Sequence, residues 1–113
     1  MNMEKPEIDT ALLDAQFQET IERIVQVAQP EQIILFGSMA RGTQSANSDV
    51  DLLVVKSNAN RSELTGQLYE ALIGVGLPVD IVVARPEDLE RYGDCPATVF
   101  YPALREGSAI YAA

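Results

Sequence analysis

Three short apolar runs constrain the fold of this chain more than any other feature: Ile33 to Phe36 (IILF), Val50 to Val55 (VDLLVV) and Val79 to Ala84 (VDIVVA). Each is rich in β-formers and bounded by turn residues, so each reads as a strand. The first carries no polar side chain and is expected to be buried on both faces. The other two each hold one aspartate at their second position, Asp51 and Asp80.

Helical spacing fills the sequence around these runs. Phe17, Ile21, Ile24, Val25 and Ala28 recur with the period of an amphipathic helix, predicted over residues 10–28 and ended by Pro30. Ser62 is expected to cap a second helix whose apolar face is Leu64, Leu68, Ala71, Leu72 and Val75, with Gly74 and Gly76 as its stop. Pro86, followed by Glu87 and Asp88, predicts a short helix over residues 86–92, because proline suits the first helical position and the dipole favours acids in the first turn. Gly93, Pro96 and Pro102 predict an irregular stretch. A helical turn at residues 103–106, a stop at Gly107 and an edge strand at 109–111 follow. Residues 39–43 read as one helical turn and 44–48 as a polar loop.

Strands and helices are thus mixed along the chain, which implies an α/β (α+β) sandwich built on one sheet. A link through a helix suggests parallel pairing of the second and third strands, but periodicity alone does not decide between a parallel and a mixed sheet. A length of 113 residues fits a single domain over 1–113, with a modest core.

Composition narrows the function classes. No apolar segment is long enough for a membrane span, and residues 1–10 lack the apolar core of a secretory signal, so a cytoplasmic location is expected. The single cysteine, Cys95, allows no internal disulfide. With no histidine in the chain, Ser-His-Asp catalysis and the usual zinc sites are excluded, and Cys95 has no histidine to act as its base. The net charge of −9, from 17 acidic and 8 basic residues, argues against duplex DNA held through phosphate contacts. It suits a basic partner or bound divalent cations, although solubility alone accounts for most of such a charge.

Three features carry the chemistry. Gly37-Ser38 follows the first strand directly, where glycine lets the backbone approach a ligand and a serine hydroxyl with free N–H groups suits phosphate. Asp49-Val50-Asp51 opens the second strand. Residues two apart on a strand share a face, so the two carboxylates project together while Val50 turns into the core. Such a pair is tolerated at the surface or around a divalent cation, and hard oxygen ligands select Mg²⁺ or Mn²⁺. Asp80 lies within the apolar third strand, where a buried carboxylate is costly unless paired or metal-bound. If the third strand lies beside the second, three carboxylates converge on a two-metal site. Taken singly, each feature has a bland reading: a turn, a solvated strand start, an outward-facing aspartate.

Taken together, Gly37-Ser38, ten intervening residues, Asp49-x-Asp51 and a later strand aspartate resemble the nucleotidyltransferase superfamily that includes DNA polymerase beta. The spacing is similar to that of its minimal members, and the stretch FGSMARGTQSANSDVDLLVV also has Arg41, Gly42 and Ser48 where that group commonly has them. The resemblance implies a mixed sheet of the polymerase beta-like fold. It implies that Gly37 and Ser38 form the triphosphate-binding turn, with Arg41 and Ser48 supporting it. Asp49 and Asp51 would be ligands of both metal ions (Mg²⁺, with Mn²⁺ as a substitute). Asp80 would be the third carboxylate, binding the catalytic metal and assisting removal of a proton from the attacking hydroxyl.

Larger relatives carry a second domain for the acceptor, for which this chain has no room. Proteins of this size resemble the antitoxin half of a two-gene module whose toxin is a helical HEPN-type ribonuclease. The resemblance implies transfer of AMP from ATP to a tyrosine of that toxin. The alternative is a non-catalytic antitoxin that neutralises its partner by contact. An antibiotic nucleotidyltransferase is a third reading, disfavoured by the missing acceptor domain. Lys56 is expected to be a solvated strand-end lysine rather than a phosphate ligand, and Tyr69, Tyr92, Tyr101 and Tyr111 to be packing or surface residues. A homo- or hetero-oligomeric assembly face is placed near Phe100, Tyr101 or Leu104.

Overall fold

The computed structural model describes residues 10–37, 50–98 and 100–113. In chain order these form helix α1 (Thr10–Ala28), strands β1 (Gln32–Phe36) and β2 (Val50–Val55), helix α2 (Arg61–Ala71), strand β3 (Val79–Ala84), helices α3 (Pro86–Tyr92) and α4 (Phe100–Glu106), and strand β4 (Ser108–Ala112). The four strands make one sheet in the order β3-β2-β1-β4. β1 pairs antiparallel with both β2 and β4, and β2 pairs parallel with β3. The sheet is therefore mixed, and the helix-containing link between β2 and β3 does join parallel neighbours.

Strand alternation divides the core into two layers. Ile33 of β1, Val50, Leu52 and Val54 of β2, and Ile81 and Val83 of β3 pack with Ile24 and Ala28 of α1 and with Leu64 and Leu68 of α2. On the opposite face Ile34, Phe36, Leu53, Val55 and Ala84 meet Ala103 of α4, with Leu89 and Phe100 alongside. Leu52, Leu53 and Val54 are 0% exposed. Burial of each contributes about 1.5–3 kcal/mol, which makes β2 the anchor of the fold and fixes the register of Asp51 beside them.

Helix ends explain the departures from the expected boundaries. The cap of α2 is Asn60 rather than Ser62: its side chain accepts the Glu63 N–H at 3.1 Å, and the helix begins at the next residue. α4 starts at Phe100, three residues before the turn expected from Ala103. Pro102 is its third residue, where no intrahelical N–H bond is needed, so proline does not block the first turn. The C-terminal end of α2 is held by Arg23 of α1, whose Nη1 donates to Ala71 O at 2.9 Å and to Ile73 O at 3.0 Å. Those carbonyls would otherwise be orphaned at the helix end.

No helix among the described residues is long and apolar enough to cross a membrane.

Candidate active site

Asp51 of β2 and Asp80 of β3 are register partners, and Phe36 is the partner of Asp51 on β1. One row across three strands thus reads Phe36, Asp51, Asp80. Paired residues of adjacent strands point to the same face, so both carboxylates stand on the α4 side of the sheet, at the starts of the two parallel strands. Val50, 1% exposed, points the other way into the α1–α2 layer. Asp51 is half-buried and Asp80 is exposed. The cost of burying a lone carboxylate therefore does not apply to Asp80; β3 is an edge strand and leaves it open to solvent.

Gly37 follows Phe36 and completes this corner. Its φ is +80°, in the region that side chains rarely adopt. A Cβ at Gly37 would collide with Oδ2 of Asp51 and lie 3.0 Å from its Cγ. Glycine is thus required twice here, by the turn and by the carboxylate lying against the turn. Gly37, Asp51 and Asp80 are brought together; Ser38, Arg41, Ser48 and Asp49 lie outside the described residues. Among the described residues there is no cluster of three or more metal-ligating side chains. Asp51 and Asp80 are in register on strands about 4.8 Å apart, and two hard carboxylate donors on one face are a set that suits a divalent metal ion.

Two other charged residues, Lys56 and Asp88, belong to the opposite end of the sheet. Lys56 follows the last residue of β2, five positions and about 17 Å from Asp51 along the strand. Its Nζ donates to Gln29 O at 3.0 Å, holding the left-handed residue (φ 46°) that ends α1. It is a partly exposed strand-end lysine tied to a backbone carbonyl, and it lies away from the carboxylate row. Asp88, expected only as a first-turn acid, is 7% exposed. Its Oδ2 accepts the Arg85 N–H at 3.0 Å and Arg61 Nη1 at 3.2 Å, with Arg85 Nε at 3.6 Å. The Arg85 N–H bond holds this carboxyl below its ordinary value. Burial opposes that shift, and the Arg61 and Arg85 charges reinforce it.

A cavity of about 660 Å³ opens beside this cluster, lined by Arg61, Arg85, Glu87, Asp88, Glu90, Arg91 and Tyr92. Three arginines face three carboxylates there, so its charge is already balanced. Its size does not make it the reactive site, because an acid satisfied by protein cations has little left to offer a metal or substrate.

The profile of the family described as polymerase beta, nucleotidyltransferase matches residues 18–113, which span the Gly37 turn and all four strands. The chain belongs to that family. Its sheet order and mixed pairing agree with the polymerase beta-like nucleotidyltransferase fold. Among solved structures, a candidate minimal nucleotidyltransferase is 30% identical, with a TM-score of 0.58 over 85% of this chain and 93% of that one. A toxin–antitoxin structure with AMP-PNP contains a chain 27% identical, with a TM-score of 0.52 over 85% of this chain and 73% of that one. A candidate nucleotidyltransferase from Sulfolobus solfataricus shares the fold at 18% identity, with a TM-score of 0.60 over 98% of this chain and 93% of that one. No curated protein sequence matches this chain significantly. Membership of the nucleotidyltransferase family supports nucleotidyl transfer as the general activity.

Proposed function

We propose that this chain is a metal-dependent nucleotidyltransferase that moves AMP from ATP onto a protein acceptor, as the antitoxin of a cognate HEPN-type toxin. The observation that carries the reading is the row Asp51–Asp80 set against the Gly37 turn. Two like charges in register on neighbouring strands repel, and a cation between them turns that repulsion into attraction. Such a pair is the donor set expected where a divalent ion meets a triphosphate.

In this reading Asp51 and Asp49 hold Mg²⁺ or Mn²⁺ with Asp80 as the third ligand. The ions, when bound, neutralise the triphosphate and the charge that develops as pyrophosphate leaves. Gly37 brings the backbone close to the phosphates, and Ser38 supplies its hydroxyl and N–H to them. Arg41 and Ser48 support that loop. Asp80, which is exposed on the edge strand, takes in this reading the proton of an incoming acceptor hydroxyl. Solvent access on that side suits an acceptor as large as a protein. The similarity to a toxin–antitoxin chain solved with AMP-PNP supports both the adenine nucleotide and the toxin as partners.

A second reading, neutralisation by contact alone, is favoured by exposed apolar side chains on α3 and α4. Tyr92 is 39% and Leu104 41% exposed. Of the residues expected at an assembly face, Leu104 is exposed, whereas Phe100 and Tyr101 are half-buried.

The test is to incubate the chain and the product of its neighbouring gene with Mg²⁺ and each nucleoside triphosphate, and to weigh the partner by intact mass spectrometry. A gain of one or more nucleoside monophosphates, lost in Asp49→Ala and Asp51→Asn, supports transfer. Tight complex formation without any gain overturns it in favour of contact neutralisation.

A further inference from the structure

Among the described residues β3 is an edge strand, so Asp80 has its backbone held through the sheet by one neighbour, β2. Val50 N–H donates to Pro78 O at 2.9 Å and Lys56 N–H donates to Ala84 O at 2.9 Å, at the two ends of the β2–β3 ladder. The even-numbered residues of β3 therefore turn their backbone groups toward β2, and the odd-numbered ones turn theirs outward. The outward N–H of Ile81 belongs to the peptide unit that joins it to Asp80. Tyr69, from α2, reaches round the edge and its hydroxyl accepts that N–H at 2.8 Å. The Asp80 side chain has no hydrogen bond or ion pair to another described residue, so its position depends on this backbone.

We propose that Tyr69 is a positioning residue: its hydroxyl takes the place of a missing outer strand at Ile81 and so fixes Asp80 in register with Asp51 for metal binding. The inference rests on the metal-dependent reading of the Asp51–Asp80 row. It assigns the tyrosine a role beyond packing, since the residue is 41% exposed while its hydroxyl is engaged. An edge peptide fixed on one side only is free to twist, and carboxylate ligands are sensitive to the orientation of what supports them. The Tyr69 bond removes that freedom beside the ligand without occupying the ligand itself.

The experiment measures Mn²⁺ binding to the full chain by paramagnetic titration, together with hydrogen exchange at the Ile81 amide. Wild type, Tyr69→Phe, Asp80→Asn and the double variant are compared. Tyr69→Phe removes one oxygen and keeps the ring. It is expected to weaken Mn²⁺ about tenfold, to speed exchange at Ile81, and to add nothing in the Asp80→Asn background. Unchanged Mn²⁺ affinity in Tyr69→Phe overturns the proposal. So does equal weakening with and without Asp80, because the effect would then be structural and not routed through that carboxylate. Failure of the wild type itself to bind Mn²⁺ overturns the underlying metal-site reading and this proposal with it, and is distinguished by occurring in the unaltered chain.

Discussion

The two ends of the β2–β3 pair treat carboxylates in opposite ways. At the start of the strands, Asp51 and Asp80 stand side by side as like charges on one face. Past their end, Asp88 is a single acid surrounded by a backbone N–H and two arginines. That second arrangement is complete within the chain and serves α3: the Asp88 side chain returns to the N-cap backbone, as in the acidic half of a capping box. The first places two acids where an added positive charge would stabilise both. The shifted pKa of Asp88 and the 660 Å³ cavity beside it mark the self-sufficient end. Asp88 serves the architecture of α3, whereas Asp51 and Asp80 bring two acids into one row beside the Gly37 turn.

Asp51→Asn should separate the two ends most widely. Nucleotidyl transfer should fall at least about a hundredfold while thermal unfolding changes little, read by transfer assay and calorimetry on the same sample. Preserved transfer would remove the carboxylate row from the chemistry. Gly37→Ala is next, because it forces a side chain into a positive φ and against Asp51. It should cost about 1–3 kcal/mol of stability, measured by denaturant unfolding, and should lower transfer as well.

Asp88→Ala should show the reverse pattern. Leaving the Arg85 N–H and the Arg61 guanidinium without their shared acceptor should cost about 2 kcal/mol, with transfer unchanged per folded molecule. This end also predicts a pH dependence. The Asp88 carboxyl is held below its ordinary value of 3.8. Its contribution is thus full above the unfolded value and is lost as pH falls through the lower, folded one. Unfolding midpoints should drop below about pH 4, and Asp88→Asn should flatten that part of the curve. The smallest effect is expected from Arg23→Ala, which frees the Ala71 and Ile73 carbonyls at a partly exposed helix end. About 1 kcal/mol is anticipated by denaturant titration, with no change in metal affinity.

Much of the fold is legible in the residue pattern. The strands at Val50–Val55 and Val79–Ala84 and the helix at Thr10–Ala28 follow their patterns residue for residue. Each is set by local periodicity against a buried layer. Two expectations failed on local competition. Asn60 outcompetes Ser62 as the cap of α2 because its oxygen meets the Glu63 N–H. Pro102 reads as a breaker until its place in the first turn of α4 is known. Of the two readings open for Asp80, a costly buried acid and an outward-facing one, the second holds, because exposure depends on which strand lies at the edge.

Local sequence is enough to specify the elements and the chemical types at their ends: a glycine after β1 and an aspartate near the start of β2 and of β3. These depend on side-chain period and turn preference, which act over a few residues. Folding in three dimensions was needed to put Asp51 and Asp80 in one row, to lay the Gly37 turn against Asp51, to assign Lys56 and Asp88 to the far end, and to bring Tyr69 to the Ile81 amide. Strand order and register set those contacts, and they arise from the packing of distant segments that no local pattern encodes.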